Sequence, residues 1–330
     1  MSYSPKERFL KTLRGEAADG LCVGWEGIAI IRDPAAGMDR GVREMGKTTQ
    51  DCFGTTLVWP EGTPGAMPHV TDENKVIKDI CNWREELKVP SFSGADLNWE
   101  PVLQQVAGMD RDNVLTASIM TGGLFERLHF LMGFEETLIN LLLETEEIHA
   151  LLDVLVDARI DLFKTLIAHC KPDVVVHHDD WGNKKSLFMS TALWQELFKE
   201  RYAKLYGYLR ENDILVIHHA DCHCAAIVDD MAEIGVNVWQ GVIPDNDIPA
   251  LQKQLNGRIV LMGGIDSAID RADATEEEIR KETRRACETY GPAGGFIPSM
   301  TYGSPGSIYP HVQETVYDEI RRYNADTYGK

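Results

Sequence analysis

The sequence predicts a single α/β domain built as a (β/α)8 TIM-type barrel with an N-terminal helical extension, and three observations lead there. β-like apolar runs alternate with helical patterns along the whole chain, as a parallel α/β fold requires. Several runs, such as Val174-Val175-Val176, are continuously apolar, which marks strands covered on both faces. No Gly-x-Gly-x-x-Gly fingerprint follows the first strand, so the main reason to expect a doubly wound dinucleotide fold is missing.

The opening segment carries a complete helix start. Ser4 is placed as N-cap, Pro5 suits the first helical position and Glu7 completes a capping box, while Phe9, Leu10 and Leu13 fall on one face and Gly15 ends the helix. Strands are expected near 21–31, 56–59, 114–120, 174–178, 214–219, 236–240, 259–263 and 294–298. Helices are expected near 146–169, 192–211, 225–234, 248–255, 276–290 and 312–323. About eight strands suit a closed barrel better than an open sheet. With no Pro/Ser linker, repeat or low-complexity segment, residues 1–330 are expected to form one domain, a length that barrels commonly reach.

Composition bounds the function. A 44% hydrophobic chain of this length can bury a large core without disulfides or a structural metal. Its 33 basic and 52 acidic residues give a net charge of −19, which repels polyanions, so neither nucleic acid nor an anionic membrane is an expected partner. Residues 1–14 hold no apolar leader core, and no stretch approaches a membrane span. The seven cysteines are dispersed apart from Cys222 and Cys224, a pattern of reduced thiols that points to the cytoplasm.

In a barrel, chemistry collects where strands end. The run His177-His178-Asp179-Asp180-Trp181-Gly182 follows one apolar segment, and His218-His219-Ala220-Asp221-Cys222-His223-Cys224 follows the next. Gln240 ends another strand, and Ser299-Met300-Thr301-Tyr302-Gly303 follows the last. His218 to Cys224 is the densest set of metal-ligand side chains, so a catalytic zinc with an open position is expected there, its ligands drawn from His219, Asp221, Cys222, His223 and Cys224. His219 and Asp221 share strand parity, and Cys222 and Cys224 stand where a helix start lowers thiol pKa. Asp180 is suited to general acid/base work, to anchoring substrate or to orienting a metal-bound imidazole. Trp25, Trp59 and Trp181 are candidates for an aromatic wall at this face. Asp221-Cys222-His223-Cys224-Ala225-Ala226 begins like the Asp-x-His-x-x-Gly box of corrinoid-binding domains, but Ala226 replaces the glycine, so cobalamin is not expected on this chain itself.

Several segments resemble the uroporphyrinogen-decarboxylase superfamily over nearly the full length. They are Ser4 to Phe9 with Leu13-Arg14-Gly15, Gly123-Leu124-Phe125-Glu126 with Leu131-Met132-Gly133-Phe134-Glu135, and Asp179-Asp180-Trp181-Gly182 with Met189-Ser190 and Leu193-Trp194. His219 through Gly235 and Met262-Gly263-Gly264-Ile265-Asp266 complete the likeness. The resemblance implies the barrel fold. Uroporphyrinogen decarboxylases carry an Arg-Gln-Ala-Gly-Arg motif that grips substrate carboxylates, and the stretch from Val23 to Arg32 lacks it. What remains is similar to the corrinoid-dependent methyltransferases of the superfamily. In their coenzyme M branch a His-x-Cys pair and a later Cys bind zinc; here Asp221 stands at the first Cys and no cysteine stands near Thr301-Tyr302.

The resemblance therefore implies transfer of a methyl group from a methoxylated aromatic compound to cob(I)alamin carried by a separate corrinoid protein. Zinc on His219, Asp221 and Cys222 would act as Lewis acid at the ether oxygen. Asp180 or Tyr302 would donate a proton or hydrogen bond to that oxygen, and His178, Trp181, Gln240 and Trp25 would shape the substrate pocket. Transfer from methylcorrinoid to a thiol or folate is the alternative direction, and decarboxylation the alternative reaction.

Overall fold

The computed structural model describes residues 3–61, 63, 65–302 and 307–329. Seven parallel strands form the central sheet: β1 (Ile28–Ile30), β2 (Leu115–Met120), β3 (Val174–His178), β4 (Leu215–His219), β5 (Val238–Val242), β6 (Val260–Ile265) and β7 (Phe296–Met300). They lie side by side in chain order. The sheet curls, because one set of side chains from all seven strands meets in a single interior cluster. Ile28, Ala117, Val176, Ile217, Val238, Met262 and Ile297 belong to it. Their neighbours of opposite parity, such as Val175, Val216, Trp239 and Leu261, pack against the helix layer. This two-sided burial is why the strands are apolar throughout, and it gives the TIM-type barrel.

The first helix, Pro5–Leu13, forms with its predicted cap. The Ser4 hydroxyl accepts from the Glu7 amide and the Glu7 carboxylate accepts from the Ser4 amide. Its apolar face, Phe9, Leu10 and Leu13, packs on the same interior cluster. Lys6 is tied to the carbonyls of Arg111 and Asn113, just ahead of β2. The helix thus plugs the amino end of the barrel and leaves the carboxyl end for chemistry.

The predicted strand near 56–59 is not a barrel strand. Thr56–Val58 pairs antiparallel with Thr48–Gln50 and with Met67–Pro68 in a separate small sheet. Only Leu57 of the three is buried, the half-covered pattern of an antiparallel ribbon. The central sheet consequently has seven strands where eight were expected. The segment near 21–31 contributes only three residues, since Gly24 and Gly27 take positive φ (49° and 87°) and turn the chain. A Cβ on Gly27 would lie 2.8 Å from the Pro5 carbonyl.

Helices Thr145–Cys170, Ile248–Leu255 and Glu276–Tyr290 match expectation closely, and the last helix runs longer, Pro310–Tyr328. The span near 192–211 is helical but contains one widened stretch, Gln195–Lys199. Two further helices matter for the site: Pro34–Arg40, capped by Asp33, and Leu124–Met132, which follows β2. No helix among the described residues is long and apolar enough to cross a membrane.

Candidate active site

Strand parity divides the four strand-end histidines. β3 and β4 align His177 with His218 and His178 with His219. His177 and His218 point into the helix layer, where both share the Tyr206 hydroxyl (3.0 and 2.7 Å). Burial holds both far below the usual imidazole pKa, so they are neutral packing groups. His178 and His219 point into the barrel mouth and stack with ring centroids 4.5 Å apart.

Each mouth histidine has its Nδ1 engaged from behind. His178 Nδ1–H donates to Glu126 Oε2 at 2.7 Å. His219 Nδ1–H donates to Gln240 Oε1, while the Gln240 amide donates to the Met300 carbonyl. That second bond fixes which end of Gln240 faces the imidazole, and so places the His219 lone pair on Nε2. A bulge in β5 between Gln240 and Val242 aims the amide inward. The extra residue there is Gly241, whose φ is 98° and whose added Cβ would meet the Ala220 and Thr301 carbonyls at 2.8 and 2.9 Å.

The Nε2 side of the cluster is completed by Asp180, 3.7 Å from His178 Nε2. Donor atoms of His178, Asp180 and His219 all lie within 4.8 Å of one another. A tetrahedral zinc with legs of about 2.1 Å needs donor separations of about 3.4 Å, close to the His178–Asp180 spacing. Two imidazoles oriented through Nδ1 and a carboxylate on their Nε2 side are the arrangement a zinc site requires. The residues present therefore fit a zinc ion.

The electrostatics reflect crowding of charge in a buried place. Burial pulls the His178 pKa down, but Glu126, Asp180 and Asp179 outweigh it and raise it to about 10. Burial raises Asp180 to about 7, against the pull of His178 and with help from Glu126 and Asp221. Burial and the charge on His178 lower His219 to about 3. Asp180 is thus the carboxyl of this cluster that changes charge near neutrality.

Glu126 owes its position to Asp179. The Asp179 carboxylate accepts the amides of Phe125 and Glu126 at 3.0 and 2.8 Å, capping the helix that carries Glu126. It also accepts from the Trp181 indole (2.9 Å) and the Tyr202 hydroxyl. Gly123 permits this approach, since a Cβ there would lie 2.2 Å from the Asp179 Cβ. Burial and Glu126 push Asp179 up to about 6 against these four donors, so it is ionised at neutral pH.

The expected site residues divide into those brought together and those placed elsewhere. Trp25, His178, His219 and Gln240 line one cavity of about 190 Å³, with Ile119, Thr121, Val176 and Ser307. Trp181 lies fully buried behind the mouth, stacked on His218 at 4.1 Å, and lines no wall of that cavity. Cys222 is in the hydrophobic core, its Sγ 3.2 Å from that of Cys224, and the metal-competent cluster takes Asp180 in its place. Asp221 is tied to that cluster through its backbone, its amide donating to Asp180 Oδ1 at 3.0 Å. Tyr302 donates to Asp270 and does not line the cavity. Glu126 and Asp179 had no assigned role in the sequence. The signal that could have found Glu126 is the same strand-end rule, applied to Thr121-Gly122-Gly123 after β2.

Fold and site together define a TIM-type barrel with its chemistry at the carboxyl face, the arrangement of barrel enzymes. Residues 49–323 match the uroporphyrinogen decarboxylase (URO-D) family, and the chain belongs to it. Among solved structures, a methyltransferase from Methanosarcina mazei shares the architecture, with a TM-score of 0.62 at 14% identity over 98% of this chain and 99% of that one. At that identity the likeness speaks for the fold. No curated protein matches the chain by sequence.

Proposed function

We propose that the chain is a methyltransferase that moves a methyl group from a methoxylated aromatic compound to cob(I)alamin on a separate corrinoid protein. The observation that carries this reading is the His178–Asp180–His219 cluster, whose two imidazoles line a small, mostly apolar cavity at the barrel mouth. Zinc bound there would supply a Lewis acid for the ether oxygen, which makes a phenolate a better leaving group. His178, Asp180 and His219 would hold it, in place of the His219, Asp221 and Cys222 set suggested by sequence.

The remaining residues have supporting tasks. Gln240 keeps the His219 imidazole in the tautomer that presents Nε2 to the cavity, and Glu126 engages His178 Nδ1 so that its Nε2 is the atom left for a metal, which would displace the proton there. Trp25, Ile119 and Val176 form an apolar wall suited to an aromatic ring and to excluding water. The corrinoid protein would dock over the open carboxyl face, because the cobalt must reach the methyl carbon there. The absence of the Arg-Gln-Ala-Gly-Arg motif from Val23 to Arg32 leaves an eight-carboxylate tetrapyrrole without its usual grip, which disfavours its decarboxylation.

The test mixes purified protein, reduced corrinoid protein and a panel of methoxybenzenes, and follows the corrinoid spectrum. Substrate-dependent loss of the cob(I)alamin bands in favour of methylcob(III)alamin supports the reading. Demethylation of methylated corrinoid by thiol or folate, without the forward reaction, would reverse the direction.

A further inference from the structure

A second cavity of about 320 Å³ adjoins the first, sharing Thr121 and His178 with it. Its walls come from the helix Pro34–Arg40 and the segment after it, from the small antiparallel sheet and from the helix that carries Glu126. Leu57, Met67 and Phe130 give it apolar surface, and Arg40 and Arg43 also line it.

Its charges can be counted. Three carboxylates line it, and each is already engaged. Asp39 is held by Arg127 at 3.1 Å and by Arg159 at 2.8 Å, Asp51 by Arg127, and Glu126 by His178 at 2.7 Å. Arg40 and Arg43 make no ion pair or hydrogen bond among the described residues, and Glu44, the carboxylate next to Arg43 in sequence, is taken by Lys47 at 2.6 Å. Partial burial and the Arg40 charge lower the Arg43 pKa and Asp39 opposes them, while much of the Arg43 side chain stays exposed to solvent. In a chain with 52 acidic and 33 basic residues, two unpaired arginines on one cavity are conspicuous.

The chain around them is held in place. Asp33 caps the helix that ends at Arg40, and Asp39 docks it through Arg127 and Arg159. Gly41 then turns the chain with φ 70°, where a Cβ would stand 2.8 Å from the Asp51 Cα. Arg40 is therefore presented by an ordered support, and Arg43 follows in the exposed segment after the Gly41 turn.

We infer that Arg40 and Arg43 form an anion subsite that binds a carboxylate on the substrate, placing its apolar body between this cavity and the His178 centre. Paired guanidiniums match a carboxylate in geometry as well as charge. The inference rests on the reading that the His178 centre works on a small molecule seated at this face, and it narrows the substrate class to aromatic carboxylates.

The test measures binding of benzoate and benzamide to the whole protein by calorimetry. Neither probe has a methyl group to transfer, so the result is independent of methyl-transfer activity. The expected result is benzoate binding at least about tenfold tighter than benzamide, with Arg40→Gln and Arg43→Gln each weakening benzoate about tenfold and leaving benzamide unchanged. Equal binding of the two probes, no binding of benzoate, or benzoate affinity unchanged in both variants overturns the subsite. If benzoate binds as expected but no methoxybenzoate methylates the corrinoid protein, the methyl-transfer reading fails and the subsite stands.

Discussion

Removing the Asp179 carboxylate should cost the protein more stability than almost any other single change at the barrel mouth. In Asp179→Ala, four buried donors lose their acceptor: the amides of Phe125 and Glu126, the Trp181 indole and the Tyr202 hydroxyl. An orphaned buried donor costs about 1–3 kcal/mol. Taking the low end for each, because the hydroxyl can rotate and water can enter the vacated space, gives about 4 kcal/mol. Asp179→Asn keeps one acceptor oxygen and should lose about half as much. Urea unfolding of zinc-free protein, followed by near-ultraviolet circular dichroism of the Trp181, Trp194 and Tyr202 cluster, measures both variants without the added stabilisation of bound metal. A loss below about 1 kcal/mol in the alanine variant would refute the claim that Asp179 anchors the helix bearing Glu126.

Three further outcomes follow from the same geometry. Glu126→Gln should lower zinc affinity about 10–100-fold by releasing the His178 imidazole, measured by competition with a chromophoric chelator; an unchanged affinity contradicts the role given to Glu126. Gly123→Ala forces its new Cβ against Asp179 and should cost about 1–3 kcal/mol, so a variant as stable as wild type means the two segments do not approach as described. His177 and His218 have folded pKa values far below the unfolded value of about 6.5, so the stability they contribute is full above that pH and is lost as pH falls below it. Each should add up to about 1.4 kcal/mol of loss per pH unit below 6.5, and His218→Phe should remove one such proton from the slope of unfolding free energy against pH; a slope identical to wild type argues against a buried neutral His218.

Local signals were legible in the sequence and long-range ones were not. The Ser4–Glu7 capping box depends on residues three apart and formed as expected. The strand-end rule located His178, His219 and Gln240, which do meet around one cavity with the aromatic candidate Trp25, because strand parity is visible in alternating residues. Trp181 follows the same rule yet packs behind the mouth, since Asp179 turns to cap a helix whose start lies more than fifty residues earlier and carries the indole with it. Cys222 and Cys224 look like ligands in sequence, but Asn246 from the loop after β5 clamps their backbone and seats both thiols in the core. Tyr302 is likewise claimed by Asp270. Thr56–Val58 has the length and composition of any strand, and only its partners show that it belongs to the small sheet lining the second cavity.

The most direct test of the account is the zinc content of the purified protein, prepared without chelators and compared with His178→Ala, His219→Ala and Cys222→Ala. About one zinc per chain in the wild type, lost in both histidine variants and kept in the cysteine variant, is the predicted result. A folded wild-type protein that takes up no zinc when it is supplied, or a site lost in Cys222→Ala and kept in His178→Ala, would contradict it.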